Sequence, residues 1–467
     1  MLRNWHVANL FRAGALVAVC AAASSLPGQT FTKLLDFGAG STGFDPRAAL
    51  IQGFDGALYG TTDGGGTYNH GTIFRVSEGR ATTLHSFNGN DGRAIYAPLA
   101  RSRDGKLYGV TYYGGVYGWG SVYTITPDGA FATVYSFCAE WNCQDGMLPF
   151  TGVIVSNSGD LYGTTQYGGS STIQDGGGTI FRLTSSGTLT TLYNFCTPYP
   201  CTTGEQPRVP LVQAASGIFY GSAPGWLFSI SSTGIFHSFG YLPSGIGEGT
   251  SALVQAPDGN LYGTTNLSND SLGSVFRLTP SGEITAICSF SAQSGYNIEV
   301  SNAGLVVGSD GNLYGTTNSG GANGQGTIFK VSLSGELTTL YNFCSAPRCT
   351  DGAAPVSALV QATNGIFYGT TPVGPGNGGT LFSLSVGLDP FVELQPSAAK
   401  ARAIVTIFGQ NLDGTTGVWF KDQPASFKVI SNSMITAMVP DGAGSGTVRV
   451  QTPSGTLLSN VPFRVRP

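Results

Sequence analysis

Short apolar runs alternate with turn-forming residues along most of the chain. The runs span four to seven residues, are rich in Val, Ile, Thr, Leu and aromatics, and are bounded by Gly, Asp, Pro or Ser. This pattern predicts short β-strands. An aromatic-glycine pair returns at intervals of 42 to 58 residues, which indicates a tandem repeat. Its tyrosines are Tyr59, Tyr108, Tyr162, Tyr220, Tyr262, Tyr314 and Tyr368.

Each repeat unit keeps one internal order. An apolar run such as "SALVQA" is followed by a "PDGN" turn, "LYGTT", a variable glycine-rich loop, "GTIFRL", a "PSGE" turn and "LTTLYNF". Four antiparallel strands per unit, repeated seven times, predict an all-β fold, a seven-bladed β-propeller. The seventh unit stops at residues 379–386 without its fourth strand, while an isolated copy, "FTKLLDF", occupies residues 31–37. We therefore expect the N-terminal strand to close the last blade.

Two resemblances define the domain organisation. "DGALYGTTDGGGTYNHGTIFRV" and "DGNLYGTTNSGGANGQGTIFKV" resemble the GloVer tandem repeat of exported bacterial proteins, over roughly residues 31–386. That family implies location and fold, with no activity to transfer. After residue 387, "TIFGQNL", "VWFKDQPASF" and "SGTVRVQTPSG" resemble an immunoglobulin-like IPT/TIG β-sandwich, a class of spacer or interaction module. We assign residues 1–29 to a signal peptide, 30–387 to the propeller and 388–467 to the IPT/TIG domain.

The N-terminus favours export. Arg3 and Arg12 flank the beginning of a short apolar run, "AGALVAVCAAA", which is followed by small residues. This is typical of a secretory signal peptide, with cleavage between Ala23 and Gln29, and predicts a secreted or cell-surface protein. The alternative is a lipoprotein cysteine at Cys20. No other segment has eighteen consecutive apolar residues, so no membrane span is expected.

Cysteine spacing fits an oxidising compartment. Six of the eight cysteines form three C-x4-C pairs, each after a "YSF" or "YNF" phrase, and each pair is predicted to be a local disulfide. Cys288 occupies a strand position and is expected to be a buried free thiol. The three predicted disulfides are Cys138 with Cys143, Cys196 with Cys201, and Cys344 with Cys349.

The long loops predict where binding occurs. In a meander, the second-to-third loops and the blade-to-blade loops share one face, and here they are long and varied. Aromatic side chains crowd the second-to-third loops of the first three blades. Rigid rings of this kind stack on sugars or bind peptide segments; the alternative is that they cover the backbone of their own loops. The candidate ligand-binding residues are Tyr68, Tyr112, Tyr113, Tyr117, Trp119 and Tyr167.

Charged residues recur at two repeat positions. An acid recurs in the blade-to-blade loops at Asp45, Asp91, Asp145, Glu205, Glu248 and Asp351, followed by Gly or Pro directly or, for Glu205, two residues later. Four of these, Asp45, Asp91, Asp145 and Asp351, are a candidate ring for Ca²⁺ or another cation, although Asp-Gly is also an ordinary turn former. A basic residue recurs at one position of the third strand. This position predicts either the binding of an anionic glycan or pairing with solvent at the strand edge. The basic residues are Arg75, Arg182, Arg277 and Lys330.

Composition narrows the function. Only 10% of residues are charged and the net charge is −4, which offers no handle for nucleic acid. We predict an exported module that binds an extracellular glycan or protein, without a cofactor unless Ca²⁺ occupies the acidic ring. A hydrolase or lyase using Asp63, Asp91 or Asp145 with Tyr113 is the first alternative. A structural protein of the cell envelope is the second. No catalytic residue is assigned, since His70 is the one loop histidine and has no clear partner.

Overall fold

The structure is a computed structural model. It describes residues 28–38, 42–170, 175–197, 200–266, 268, 271–292, 294 and 304–466. Most of the predicted signal peptide, including Cys20 and the proposed cleavage region up to residue 27, lies outside these ranges. None of the helices in the described ranges has the length and apolar character needed to cross a membrane.

Seven four-stranded antiparallel sheets confirm the predicted seven-bladed propeller. The first strands are two residues long: Ile51–Gln52, Ala100–Arg101, Ile154–Val155, Val212–Gln213, Val254–Gln255, Val306–Val307 and Val360–Gln361. The second strands are Leu58–Thr62, Leu107–Thr111, Leu161–Thr165, Phe219–Ala223, Leu261–Thr264, Leu313–Thr317 and Phe367–Thr371. The third strands are Thr72–Ser77, Ser121–Ile125, Thr179–Leu183, Trp226–Ile230, Ser274–Leu278, Thr327–Val331 and Thr380–Ser385. The fourth strands are Arg80–Ser86, Phe131–Ser136, Leu189–Asn194, Phe236–Tyr241, Ile284–Ser289, Leu337–Asn342 and, in the last blade, Thr30–Asp36.

The repeated "YGTT" and "GTIF" phrases meet inside each blade. Gly60 lies opposite Phe74, and a Cβ on that glycine would come within 2.6 Å of the phenylalanine ring. Thr62 and Thr72 pair their buried hydroxyls at 2.8 Å, which satisfies two polar groups inside an apolar layer. The same hydroxyl pair recurs in other blades, for example between Thr165 and Thr179 at 2.8 Å. The repeated residues therefore encode the blade interior.

The N-terminal strand closes the ring, as predicted. Thr30–Asp36 pairs antiparallel with Thr380–Ser385, the third strand of the last blade. Its Phe31 stacks on Tyr341 of the preceding blade, with ring centroids 3.7 Å apart and planes within 4°. The strand thus contributes both ladder hydrogen bonds and an aromatic contact between blades, and it completes the last blade as a four-stranded sheet.

Hydrogen bonds from backbone N–H groups to glutamine side chains join the inner parts of neighbouring blades. The backbone N–H of Thr363 donates to Oε1 of Gln52 at 2.9 Å, and that of Ser309 donates to Oε1 of Gln361 at 2.8 Å. Asn157 and Ala215 donate to the glutamines of blades 4 and 5 in the same way. The first strands are therefore adjacent around the ring, as expected for the innermost strands of a propeller.

The C-terminal region is a separate all-β domain with its own core. Its hydrogen-bonded strands follow one another in the order Gln423–Pro424, Gly417–Phe420, Val448–Thr452, Gly455–Ser459, Phe391–Gln395, Ile404–Phe408, Met434–Met438 and Phe427–Ser431. Ala398–Lys400 and Arg464–Arg466 form a further parallel pair. Val418 and Val450 from one half share a buried cluster with Ile407 and Ile435 from the other. The two halves therefore face each other around one core, without a disulfide in this region.

The C-terminal domain packs on the short-turn end of the propeller. Arg101, from the first strand of blade 2, has a side chain 7% exposed and forms an ion pair with Glu393 at 2.9 Å. Its guanidinium lies 4.5 Å from the ring of Phe54 and 4.7 Å from the ring of Phe408, one ring from each domain. The backbone N–H of Phe391 donates to Thr363 O at 3.0 Å. The first-to-second turns, which are short and uniform, thus support the second domain.

Three short 3-10 helices complete the described elements. They are Trp141–Cys143, Pro347–Cys349 and Pro375–Asn377. The first two each end at the second cysteine of a C-x4-C pair.

Candidate binding site at the long-loop end

Two repeat positions converge at the long-loop end of the inner strands. One is the residue that directly follows the second strand, and the other lies four residues before the first strand. In blades 1 to 4 these positions carry aromatic, charged and amide side chains. We call this set the mouth cluster, because it surrounds the long-loop end of the innermost strands. The mouth cluster is Arg47, Asp63, Tyr96, Tyr112, Phe150, Gln166 and Arg208.

Three rings form the centre of the mouth cluster. The centroids of Tyr96 and Phe150 are 5.4 Å apart, those of Tyr112 and Phe150 are 5.6 Å apart at 90°, and those of Tyr96 and Tyr112 are 6.0 Å apart. All three side chains are half-buried. Tyr113 adds a fourth ring, perpendicular to Tyr112 at 4.7 Å. The rings thus present a partly exposed aromatic surface that the loops of two successive blade junctions hold in place.

Gln166 connects the rings to a cation. Its side chain is 3% exposed, and the amide orientation that satisfies both neighbours donates from nitrogen to the Tyr112 hydroxyl at 3.0 Å. The amide oxygen then accepts from Arg208 Nε at 3.0 Å and Nη2 at 2.7 Å. Burial, followed by the neighbouring Tyr113 and Tyr167, raises the pKa of Tyr112 to about 12. Tyr112 is therefore a neutral hydrogen-bonding group at physiological pH.

The blade 1 side of the mouth cluster is acidic. Arg47 Nε donates to Asp45 Oδ2 at 2.9 Å. Burial, and next the charge of Asp45, raises the pKa of Asp63, while Arg47 and a hydrogen bond from the backbone of Ile95 oppose the rise. Burial, and then Asp63, raises the pKa of Tyr96. A carboxyl group whose charged form is disfavoured thus lies beside an aromatic hydroxyl.

The six predicted aromatic residues divide into two groups. Tyr112 and Tyr113 contact each other at the mouth cluster, and Tyr167 is half-buried, with its backbone bridged to Met147. Tyr68, Tyr117 and Trp119 instead stand at the tips of the second-to-third loops, 58%, 50% and 42% exposed. Binding by these six remains a prediction.

The sequence analysis did not identify Arg47, Tyr96, Phe150, Gln166 and Arg208. The sequence did contain a signal for four of these residues. The position four residues before each first strand varies from Arg to Tyr to Phe to Arg across blades 1 to 4, although the surrounding repeat is regular.

The four candidate cation ligands are not gathered into one site. Asp351 accepts from the Tyr341 hydroxyl at 2.7 Å, from the Ser345 N–H at 2.9 Å and from the Ala346 N–H at 3.2 Å. Burial favours its neutral form, but the hydrogen bonds from Tyr341 and Ser345 outweigh burial and lower the pKa of Asp351. Asp145, fully buried, accepts equivalent hydrogen bonds from Tyr135, Ala139 and Glu140.

The remaining two candidate ligands also have local partners. Asp91 Oδ2 lies 2.9 Å from His85 Nε2, and Asp45 pairs with Arg47. Each carboxylate thus stabilises a loop of its own blade, in line with the turn-forming alternative. A cation at this ring remains a prediction without a shared set of ligands.

The basic row in the third strand pairs with turn carboxylates. Asp55 accepts from the Tyr59 hydroxyl at 2.7 Å and forms an ion pair with Arg75 at 2.7 Å. Lys330 lies 3.6 Å from Asp310, which accepts from the Tyr314 hydroxyl at 2.9 Å. Arg182 pairs with Asp160 at 3.2 Å. Three of the four basic residues thus pair with a carboxylate of their own blade, where the alternative had been solvent at the strand edge, and the row lies on the short-turn side.

The three predicted disulfides are confirmed. Cys138 pairs with Cys143, Cys196 with Cys201 and Cys344 with Cys349. Cys288 is buried as predicted, but it is disulfide-bonded, so the expectation of a free thiol is wrong. Within the described ranges, the one group with metal-ligand spacing is Cys196, Cys201 and Glu205, and its two sulfurs are already joined in a disulfide.

Fold and sequence together define the class: a seven-bladed β-propeller of tandem repeats followed by an IPT/TIG domain. The chain belongs to the Gloeobacter/Verrucomicrobia repeat family, whose model matches residues 20–172, 78–239 and 222–417. The IPT/TIG domain model matches residues 391–465. Both resemblances drawn from the sequence are confirmed.

Solved structures share the fold at low identity. A streptogramin B lyase is 15% identical with a TM-score of 0.50, covering 76% of this chain and 97% of that one. A virginiamycin B lyase from Staphylococcus aureus in complex with quinupristin is 14% identical with a TM-score of 0.50, covering 77% and 99%. A fungal alcohol oxidase of the AA5 family, in complex with copper, is 13% identical with a TM-score of 0.51, covering 94% and 99%. No curated protein sequence matches this chain.

Proposed function

We propose that this chain is an exported binding module that holds a segment of a glycan across the mouth cluster. The observation that carries the proposal is the contact of Tyr96, Tyr112 and Phe150, half-exposed, at one end of the ring. The C–H face of a sugar ring is apolar and packs on aromatic rings, which bury a large area at low entropy cost. Asp63 and Arg208 add hydrogen-bonding groups at the edges for sugar hydroxyls.

The arrangement of the two domains supports this site. The IPT/TIG domain contacts the short-turn end through Arg101, Phe54 and Thr363, so the long-loop end is the one facing away from it. Loops on a rigid scaffold are where variable chemistry is commonly placed. Export is proposed from the basic and apolar N-terminus together with the three short disulfides.

A comparison of aromatic residues at the mouth cluster with aromatic residues at the loop tips tests the proposal. The full chain, secreted into an oxidising compartment, is screened against a glycan panel and a peptide library, with Ca²⁺ and with chelator. We expect glycan binding that Tyr96→Ala and Tyr112→Ala each weaken at least tenfold. Tyr68→Ala and Trp119→Ala, at the loop tips, are matched aromatic controls and should bind like the parent. Loss of binding only in the loop-tip variants would move the site there, and binding of peptides alone would replace the glycan.

Catalysis is the second candidate, favoured by Asp63. A carboxyl group with a raised pKa beside the hydroxyl of Tyr96 is a suitable proton donor for glycosidic cleavage. If the module cleaves what it binds, Asp63→Asn should abolish product formation while leaving binding within about threefold. Reducing ends and absorbance of unsaturated products are measured on every glycan that binds. Absence of both products would exclude this candidate for those glycans.

A further inference from the structure

We propose that the bound glycan is anionic, and that Arg93 and Arg208 bind its acidic groups on either side of the Tyr112 and Tyr113 rings. This inference rests on the proposed function and adds the chemical class of the ligand. It is carried by the positions and the partners of these two arginines.

Arg208 is anchored without being neutralised. Its Nε and Nη2 donate to the amide oxygen of Gln166, which is itself nearly fully buried. An amide oxygen carries no net charge, so the guanidinium keeps its full positive charge. The Nη1 and Nη2 edge still offers two parallel N–H groups, the geometry that a carboxylate accepts in a bidentate pair. Arg208 itself is exposed, so a ligand can reach that edge.

Arg93 holds the other side of the rings. Its guanidinium carbon lies 5.2 Å from the centroid of the Tyr113 ring, and the backbones of the two residues form a bridge. Stacking on an aromatic ring orients the guanidinium but again leaves its charge uncompensated. Since Tyr113 contacts Tyr112, and Tyr112 contacts Gln166, one chain of contacts joins Arg93 to Arg208.

Other cations of the propeller are paired differently. Arg47, Arg75, Arg101, Arg182 and Lys330 each lie within 4.0 Å of a carboxylate oxygen. In the described part of the chain, Arg93 and Arg208 have no such partner. A charge-assisted pair with an acidic ligand would supply it. Other arginines of the propeller, such as Arg80 and Arg277, also lack a carboxylate partner in this part of the chain, but Arg93 and Arg208 are held at the two ends of the contacts through Tyr113, Tyr112 and Gln166.

A matched ligand pair tests the charge of the glycan. The full chain is titrated calorimetrically with polygalacturonate and with its methyl ester, which keeps the sugar backbone and removes the charge. Dextran sulfate, neutral dextran and polyglutamate complete the set. We expect at least tenfold tighter binding of polygalacturonate than of its ester, weakening as salt screens the charges. Tighter binding of dextran sulfate would keep the inference and assign sulfate as the acidic group.

Variants separate this inference from the proposed function. Arg93→Gln and Arg208→Gln should each weaken polygalacturonate binding at least tenfold, while Arg80→Gln, which removes an exposed arginine near the short third-to-fourth turn, should not. Equal binding of the acid and its ester, or no effect of either variant, would overturn the inference and leave glycan binding intact. Equal binding of polyglutamate would overturn the glycan class. Failure to bind any glycan would overturn the proposed function itself. Thermal melts confirm that the variants fold.

Discussion

The two ends of the propeller use the same residue types in different ways. At the short-turn end an aspartate, a tyrosine and a cation recur as a set, as in Asp55, Tyr59 and Arg75. Within the set, the aspartate accepts a hydrogen bond from the tyrosine hydroxyl and forms an ion pair with the cation. At the long-loop end, equivalent positions differ between blades, from Asp63 to Tyr112 to Gln166. Residues that repeat therefore serve the frame, whereas residues that vary on the same frame are available for binding.

Two arginines show the contrast most directly. Arg101 is buried between Phe54 and Phe408 and paired with Glu393, whereas Arg208 is exposed and held by a neutral amide. The first joins two domains; the second presents a charge to solvent. Four predictions test this difference between the ends.

Removal of Arg101 should have the largest effect on stability. Arg101→Ala breaks a largely buried ion pair and two cation–π contacts, so we expect a loss of about 3 kcal/mol and separate unfolding of the two domains by calorimetry. Arg208→Ala should cost less, about 1 kcal/mol, because the side chain is exposed and only the amide oxygen of Gln166 loses its donors. A single unchanged transition for Arg101→Ala would show that the domain contact is not stabilising.

Asp351 should be the next most costly residue, although it lies at the long-loop end. Asp351→Ala leaves the Tyr341 hydroxyl and the Ser345 and Ala346 N–H groups without their acceptor, for an expected loss of about 2–3 kcal/mol in urea unfolding. Asp91→Ala should cost less, since that carboxylate is partly exposed. Stabilisation of the parent protein by Ca²⁺ that is lost in Asp351→Ala would instead support a cation site.

A single hydroxyl in the short-turn sets should contribute a smaller amount. Tyr314→Phe removes the hydrogen bond to Asp310 and should cost about 1 kcal/mol. Tyr108→Phe is the control, because in blade 2 the third-strand position is Thr124 and the tyrosine hydroxyl has no hydrogen-bond partner among the described residues. Equal effects of the two substitutions would contradict the role given to the sets.

The dependence of stability on pH should differ in sign between Asp310, in a short-turn set, and Asp63, in the mouth cluster. Burial opposes ionisation of Asp310, but hydrogen bonds from Asn312 and Tyr314 prevail and lower its pKa, so it stabilises the fold above the unfolded pKa of about 3.9 and loses this contribution as the pH falls. Asp63, with a raised pKa, has the opposite effect: its contribution is complete at low pH and is lost as the pH rises.

Urea unfolding between pH 3 and pH 7 measures both effects. Asp63→Asn should be more stable than the parent at pH 7 and gain nothing at pH 3. Asp310→Asn should be less stable at pH 7, and its deficit relative to the parent should shrink as the pH falls toward 3. If the free energies of unfolding of the parent and of Asp63→Asn changed in parallel with pH, the pKa of Asp63 would not be raised in the folded protein.

Local periodicity explains what was predictable. The "YGTT" and "GTIF" phrases and their variants, one of each per blade, specified strands and blades, because a strand requires only alternation and turn residues within a few positions. The orphan strand at residues 31–37 predicted the closure, and the C-x4-C spacing predicted the disulfides, since five residues of separation leave little choice of partner. The family resemblances rested on the same short phrases.

The mouth cluster, the domain contact and the functions of the acids required the tertiary structure. Tyr96, Tyr112 and Phe150 come from different loops, and their contact depends on loop paths and rotamers that no repeat period encodes. Asp145 and Asp351 belong to a regular series in the sequence. In the structure, however, each accepts a hydrogen bond from the fourth-strand tyrosine of its own blade. Arg101, which is buried, forms its ion pair only because the fold places Glu393, nearly three hundred residues later in the chain, beside it. The sequence by itself determined the repeating frame through local pattern, and only the fold decided which side chains meet across blades and domains, because that depends on contacts between distant residues.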